Sequence, residues 1–175
     1  MKVLALDIAT QTGVAVGNSG DAPKAWSVDL GKGHSEDVRF SEVLKLTHGL
    51  IATHKPELIA IEAPIGGNNA NAYLIGLAAC VRGCAANRGV VCIHVLPASV
   101  RKHFLGKAKT SRDFPGLKQS KAKLAIKREV LARCHLLKWD VPDLDAADAA
   151  ATWDWACANH ARQYQAAPLG GLFHG

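Results

Sequence analysis

The sequence has no apolar run near the roughly 18 residues that a membrane-spanning helix needs. Its first residues, MKVLALDIATQTG, show no charged stretch followed by a long apolar region and a cleavage site. The five cysteines are odd in number and scattered, and none belongs to a C-x-x-C pair. These absences argue against a membrane protein and a secreted disulfide-bonded domain, so we expect a cytoplasmic protein with reduced thiols.

The sequence also gives little indication of a zinc site or of internal repeats. Cys80 and Cys84 lie one helical turn apart, but free cysteine is among the most often buried residue types, so this spacing favours core packing over a zinc site. Aromatic residues make up only 6% of the chain, and we find no internal repeat. With 175 residues, 49% of them hydrophobic, the chain suits one domain, which we place at residues 1–160 with a tail at 161–175.

Positive charge is concentrated in one segment. The net charge is +6, and residues 101–138 hold twelve Lys and Arg residues against two acids, Asp113 and Glu129. The rest of the chain has more acidic than basic residues. A solvated helix surface normally mixes both signs, so this segregation favours a polyanionic partner.

The hydrophobic pattern predicts a mixed α/β sheet covered by helices. KVLALDIA, GVAVG and AWSVDL read as three antiparallel strands over residues 2–30, and Ser35 begins a helix that ends near His54. The buried strand ELIAIE, a helix over residues 70–89 closed by Gly89 and the strand VVCIHVL follow, an order typical of parallel strands with right-handed connections.

The remaining segments are a short helical turn around ASVRKHFLG, a mobile basic loop over residues 107–117, a helix over 118–138 and an alanine-rich helix over 143–160. The helix of residues 69–88 carries an apolar stripe of Tyr73, Leu77, Cys80 and Cys84, and an apolar face on this helix suits a dimer. Trp153 and Trp155 are interpreted as core or interface residues, and His103 and His160 as non-catalytic residues.

Four acids lie at strand ends or on the closing helix, where they could form one site. Asp7 and Glu62 end strands that are apolar on both faces, at the edge where open α/β sheets bind ligands. Asp145 and Asp148 are neighbours on successive turns of the closing helix, whose alanines allow it to lie close to the sheet, whereas Asp154 is expected to point to solvent. Four gathered carboxylates repel one another unless cations neutralise them, and oxygen-only ligands favour Mg²⁺ or Mn²⁺.

Each acid also has a structural interpretation. Asp143 or Asp145 is a candidate cap for the helix that it begins. Asp7 could belong to a turn with Thr10 or Thr12, and Glu62 could pair with a basic side chain. The acids point to a metal site as a set and only weakly one by one.

The stretches LALDIATQTGVAV, IAIEAPIGGNNANAYLIGLAACVRG, LPASVRKHFLG and DAADAAATW resemble, in order and approximate spacing, the RuvC-like Holliday junction resolvases of the ribonuclease H-like superfamily. The resemblance covers nearly the whole chain and extends to phage-type members. It implies a ribonuclease H-like sheet of three antiparallel strands followed by two parallel ones. It also implies a homodimeric, metal-dependent endonuclease that nicks two strands of branched DNA.

The resemblance also implies roles for individual residues. Asp7, Glu62, Asp145 and Asp148 match the family's metal-binding acids, which would hold two ions of Mg²⁺ or Mn²⁺ for phosphodiester hydrolysis. Arg101 stands where the family usually has a lysine before the loop, and Lys121 matches the lysine that begins the long basic helix. The resemblance implies that both contact phosphates, Lys121 with a catalytic role. The further DNA-binding candidates are Lys102, Lys107, Lys109, Arg112, Lys118, Ile65, Asn68 and Asn69.

Two departures from the family bear on substrate choice. Ile8 and Ala9 replace the usual Pro-Gly after the first acid, and Ile65 stands where many resolvases place a base-stacking aromatic. Broader branched-DNA specificity is therefore one alternative. The others are an inactive nucleic-acid-binding scaffold and an RNA-processing nuclease of the same superfamily.

Overall fold

A computed structural model describes residues 1–64 and 71–161. Its strands are β1 (Lys2–Asp7), β2 (Gln11–Asn18), β3 (Lys24–Asp29), β4 (Leu58–Glu62) and β5 (Val91–Val95). Its α-helices are α1 (Glu36–His54), α2 (Ala72–Asn87), α3 (Pro97–Leu105), α4 (Gln119–Leu136) and α5 (Leu144–Ala156). The candidate DNA contacts Ile65, Asn68 and Asn69, and residues 162–175 of the tail, lie outside the described residues.

The five strands form one sheet in the order β3-β2-β1-β4-β5. β1 pairs antiparallel with β2, which pairs antiparallel with β3, while β4 lies parallel to both β1 and β5. This confirms the predicted mixed sheet of three antiparallel strands followed by two parallel ones. The central strands β1 and β4 are buried on both faces, as their continuous apolar sequences predict.

Side chains alternate between two cores, one on each face of the sheet. Leu4 and Leu6 of β1 pack with α1 and α2, whereas Val3 and Ala5 pack with α3, α4 and α5. Helix α5 lies directly on β1 and β2 because five of its alanines are fully buried: Ala146, Ala147, Ala149, Ala150 and Ala151. The expected close approach of this helix to the sheet is confirmed.

The helix boundaries follow local signals with small differences. Ser35 caps α1 by accepting a hydrogen bond from the Val38 amide, and Gly89 adopts a positive φ of 66° after α2, as predicted. The turn around ASVRKHFLG is a full helix, α3, because Pro97 begins it and Gly106 ends it. Helix α5 ends at Ala156 and continues as a π-helical turn over Cys157–Ala161.

The apolar stripe of α2 faces inward. Leu77 and Cys84 are buried and Tyr73 and Cys80 pack against the same core, so this stripe is not a free surface. Trp153 is 2% exposed and packs edge-on against Trp139, which confirms its core interpretation. No helix among residues 1–64 and 71–161 is both long and apolar enough to cross a bilayer.

Candidate active site

Asp7 and Glu62 lie side by side at one edge of the sheet. Leu6 of β1 is in register with Ile61 of β4, so the next residue on each parallel strand is the acid. Burial, followed by the charge of Asp148, raises the pKa of Asp7 to about 6. Burial, followed by the charge of Asp7, raises the pKa of Glu62 to about 8. These carboxylates are therefore close enough to repel each other in a poorly hydrated place.

Asp143 caps helix α5 and leaves Asp145 free for the site. One Asp143 carboxylate oxygen accepts hydrogen bonds from the amides of Asp145 (3.0 Å) and Ala146 (2.9 Å). Its other oxygen accepts a hydrogen bond of 2.5 Å from the Ser27 hydroxyl on β3. The cap therefore fixes the first turn of α5 to the sheet, and of the two predicted cap candidates Asp143 takes this role.

Gly13 allows α5 to approach the end of β1. It is in register with Asp7 on the neighbouring strand β2. A Cβ atom at Gly13 would lie 1.9 Å from the carbonyl oxygen of Asp145, well inside any van der Waals contact. The sequence predicts Gly13 only as the start of a strand. The strand register and the position of α5 show that Gly13 leaves space for the backbone of Asp145.

Lys127 joins the acids through its ammonium group. Its Nζ atom donates to Asp145 Oδ1 at 2.7 Å and lies 2.8 Å from Asp148 Oδ2 and 3.5 Å from Asp7 Oδ2. Burial works against this charge, but the carboxylates of Asp148 and Asp7 hold the pKa of Lys127 well above its ordinary value. The predicted convergence of the four acids is thus present, with a lysine among them that the sequence analysis did not single out.

Buried residues recur every four positions along α4, and this spacing could have indicated that Lys127 lies near the core. Ala122, Ile126 and Val130 are buried, so Lys123 and Lys127 flank the stripe that packs on the core. Lys121, the lysine chosen from the resemblance, is exposed at the first turn of α4 and does not line the cleft described next. Its proposed contact with a phosphate remains a prediction.

The acids open into a cleft of about 410 Å³. Asp7, Glu62 and Asp145 line this cleft, and Arg101, Lys123 and Lys127 add positive charge to its lining. The charge of Arg101 partly offsets the raised pKa of Glu62, so this guanidinium lies near the acids. Carboxylates and cations therefore share one concave surface, the arrangement that a phosphate-cleaving site needs.

The basic loop over residues 107–117 is more structured than predicted. It contains a 3₁₀ turn at Ser111–Asp113, in which the Thr110 side chain and the Asp113 carboxylate cap each other's backbone amides. Lys107 forms an ion pair with Asp113, and Lys109 forms one with Glu129 of α4. Both acids of the basic segment thus hold loop lysines.

The loop also forms part of the site. Thr110 and Ser111 line the cleft, and Arg101 donates a hydrogen bond of 3.4 Å to the carbonyl oxygen of Lys109. Three other candidate DNA contacts, Lys102, Arg112 and Lys118, are exposed.

The expectation that Asp154 points to solvent is wrong. The Oδ2 atom of Asp154 lies 2.7 Å from His103 Nε2 on α3. The half turn that separates Asp154 from Asp145 directs it toward α3 instead. His103 thereby has a structural partner away from the four acids.

The donor set fits a hard divalent cation. Carboxylate oxygens are the ligands that Mg²⁺ and Mn²⁺ prefer. One ammonium does not neutralise four acids, and burial, followed by the charges of neighbouring acids, raises the pKa values of Asp7 and Glu62. Across residues 1–64 and 71–161, no three acidic, His or Cys side chains already surround a common metal position, and Lys127 lies between three of the acids.

Comparison with known proteins identifies the fold. No protein-family model and no curated protein sequence matches the chain. The Thermus thermophilus RuvC structure matches with a TM-score of 0.65 and 22% identity, covering 94% of this chain and 97% of that one. T. thermophilus RuvC in complex with Holliday junction substrate matches with a TM-score of 0.66 and 17% identity, covering 94% and 96%.

The yeast mitochondrial Holliday junction resolvase Ydc2 also matches, with a TM-score of 0.50 and 14% identity over 93% of this chain and 82% of that one. The chain therefore has the α/β fold of the Holliday junction resolvases. Within that class the two RuvC structures agree with it over nearly their whole length, so the resemblance seen in the sequence motifs is confirmed as a RuvC-like fold.

Proposed function

We propose that this chain is a metal-dependent endonuclease that cuts branched DNA such as four-way junctions. The observation that carries the proposal is the convergence of Asp7, Glu62, Asp145 and Asp148 beside a cleft with cationic side chains. The RuvC-like fold and the junction-bound RuvC relative support branched DNA as the substrate class. Cleavage by a homodimer, one nick from each subunit, completes the proposal.

The four acids would hold Mg²⁺ or Mn²⁺, which in such sites activates water and stabilises the leaving oxygen. Arg101 and Lys123 line the cleft at positions suited to bind the phosphate groups of a DNA strand. Exposed basic residues of the segment 101–138 would add attachment to the backbone that weakens as salt rises. The buried first turn of α5 keeps Asp145 and Asp148 fixed relative to the strand ends.

The test is cleavage of a synthetic four-way junction in Mg²⁺ or Mn²⁺ by the wild type and by Asp7→Asn. The variant keeps the shape of the side chain but removes a buried charge that the metal needs, so we expect a loss of about 10³-fold or more in the cleavage rate. Asp37→Asn, the same chemical change in the exposed first turn of α1, is the matched control and should stay within about threefold of the wild type.

Two outcomes would contradict the proposal. One is undiminished cleavage by Asp7→Asn. The other is the absence of cleavage with either metal on four-way junctions, flaps and forks alike. A junction that binds tightly without being cut would instead favour the scaffold, and preferential cutting of structured RNA would favour the RNA nuclease.

A further inference from the structure

The ammonium of Lys127 lies where the carboxylates converge. Three acids from two different elements, Asp7 of β1 and Asp145 and Asp148 of α5, have an oxygen within 3.5 Å of its Nζ atom. The neighbours of Lys127 on the apolar side of α4, Ile126 and Val130, are buried and fix the backbone at this point. Packing therefore fixes the backbone of Lys127, whereas the ammonium group is held by charge.

The ammonium occupies the point at which these three carboxylates converge, and a dication coordinated by the same three oxygens would need that position. A small dication needs carboxylate oxygens within about 2.0–2.6 Å, so it cannot share this position with the ammonium, even though a metal-bound carboxylate can still accept a hydrogen bond from another direction. The ammonium and a dication bound by the same acids would also repel each other strongly in a poorly hydrated site. Binding of a metal at this position, on which this inference rests through the proposed function, therefore requires the Lys127 ammonium to leave it.

Lys127 has a place to go. Its side chain is 35% exposed and lines the cleft, and its four-carbon stem rotates without any change in the helix. Arg101 and Lys123 line the same cleft, so a displaced ammonium would join a group of cations that faces the substrate. No unfolding of α4 or α5 is needed.

We propose that Lys127 is an internal counter-ion which a divalent cation displaces, so that metal binding releases the ammonium from the acids into the cleft that receives the DNA phosphate. In the metal-free protein the lysine offsets the repulsion among the acids and keeps them together. It thereby competes with the metal, and the two occupancies are linked reciprocally. Removal of the ammonium should tighten metal binding even though it removes a residue from the site.

The experiment measures Mn²⁺ binding alone by titration calorimetry at pH 8, without DNA. We expect Lys127→Met to bind Mn²⁺ about tenfold more tightly than the wild type or better, since the competing charge is gone. Lys127→Arg keeps the charge and should stay near the wild-type affinity. Lys123→Met is the matched control, because Lys123 lines the same cleft one turn earlier and makes no ion pair within the described part of the chain.

Equal tightening in Lys123→Met and Lys127→Met would overturn the inference, since it would show only a general effect of positive charge. So would unchanged or weaker binding in Lys127→Met, or tightening in Lys127→Arg. Mn²⁺ binding by the wild type without tightening in Lys127→Met would overturn this inference alone, whereas no binding by the wild type would overturn the proposed function with it.

A second measurement uses the unaltered protein. In the metal-free state the ion-paired Lys127 ammonium should give a protected ¹⁵N–¹H signal, assigned by its loss in Lys127→Arg. Saturating Mg²⁺ should shift this signal and speed its exchange with water, because the ammonium has moved into the cleft. A signal that stays unchanged at saturating Mg²⁺ would overturn the inference.

Discussion

The acids at the strand ends and the acid of the basic loop differ in burial, in ion pairing and in the direction of their pKa shifts. Asp7 and Glu62 are buried together, and burial and the charges of neighbouring acids raise their pKa values to about 6 and about 8. Asp113 is paired one to one with Lys107, and the hydrogen bond from that lysine and one from the Thr110 amide lower its pKa to about 2. The contrast separates acids whose charge is only partly offset by nearby cations from an acid that has a lysine of its own.

This difference explains why only one of the two groups suits a metal. Asp113 of the loop and Glu129 of α4 each pair with a loop lysine, so further neutralisation of these two carboxylates would add little stability. At the strand ends the fold gathers more negative charge than Lys127 and Arg101 offset. Groups of ionisable residues with raised pKa values in a cleft are typical of functional sites, and this arrangement supports the proposed metal site.

Among the substitutions that test this comparison, Gly13→Ala should have the largest effect on stability. The added methyl group would collide with the Asp145 carbonyl oxygen, so α5 must move away from β2 or the sheet must deform. We expect the free energy of unfolding to fall by about 2–3 kcal/mol, measured by urea denaturation, and Mn²⁺ binding to weaken with it. Gly49→Ala is the control, because its methyl group would meet open space on α1 and alanine favours a helix.

The outcome that would contradict this account is a Gly13→Ala protein as stable as Gly49→Ala. It would mean that the first turn of α5 tolerates displacement, and therefore that Asp145 is not held at the end of β1 by close backbone packing.

A smaller effect concerns the pH dependence of the metal-free protein. The folded-state pKa of Glu62, about 8, exceeds its ordinary value of 4.5, so the folded state holds this proton more tightly than the unfolded state does. The free energy of unfolding should therefore fall as pH rises from about 4.5 to 8. In Glu62→Gln this contribution is absent, so the variant should be more stable than the wild type by about 1–3 kcal/mol at pH 9 and indistinguishable near pH 4.

Thermal or urea denaturation in a chelator, from pH 4 to pH 9, measures this difference. Glu42→Gln is the control, since Glu42 is exposed and pairs only with Lys45 among the described residues. A pH-independent gap between Glu62→Gln and the wild type would contradict the assigned environment of Glu62. Addition of Mg²⁺ at pH 8 should raise the free energy of unfolding of the wild type more than that of Glu62→Gln.

Much of the acid cluster could be predicted from the sequence because its rules are local. A buried strand that ends in Asp7 or Glu62 places the acid at the edge of the sheet, and the helical period puts Asp145 and Asp148 on neighbouring turns. An i,i+3 spacing and an apolar run are visible without any partner. The antiparallel pairing of the first three strands and the parallel arrangement of the later ones also followed from the order of the elements.

The missed features depend on contacts between distant segments. Which lysine of α4 reaches the acids is set by how the helix leans on the sheet, so Lys121 and Lys127 were equivalent by composition. The role of Gly13 needs the strand register and the position of α5 together. The pairing of Lys109 with Glu129 joins a loop to a helix twenty residues later, which no local pattern encodes.

The smallest predicted effect tests the loop side of the contrast. Lys109 and Glu129 are both partly exposed, so water competes for their charges, and a double-mutant cycle of Lys109→Met and Glu129→Gln should give a coupling free energy of only about 0.5 kcal/mol by urea denaturation. The same cycle for Lys127→Met and Asp148→Asn should give a clearly larger coupling, because that pair is more buried and Lys127 has further acids around it. A coupling above about 2 kcal/mol for Lys109 and Glu129 would place the loop pair in the same class as the buried cluster, and the distinction between satisfied and unsatisfied acids would then no longer hold.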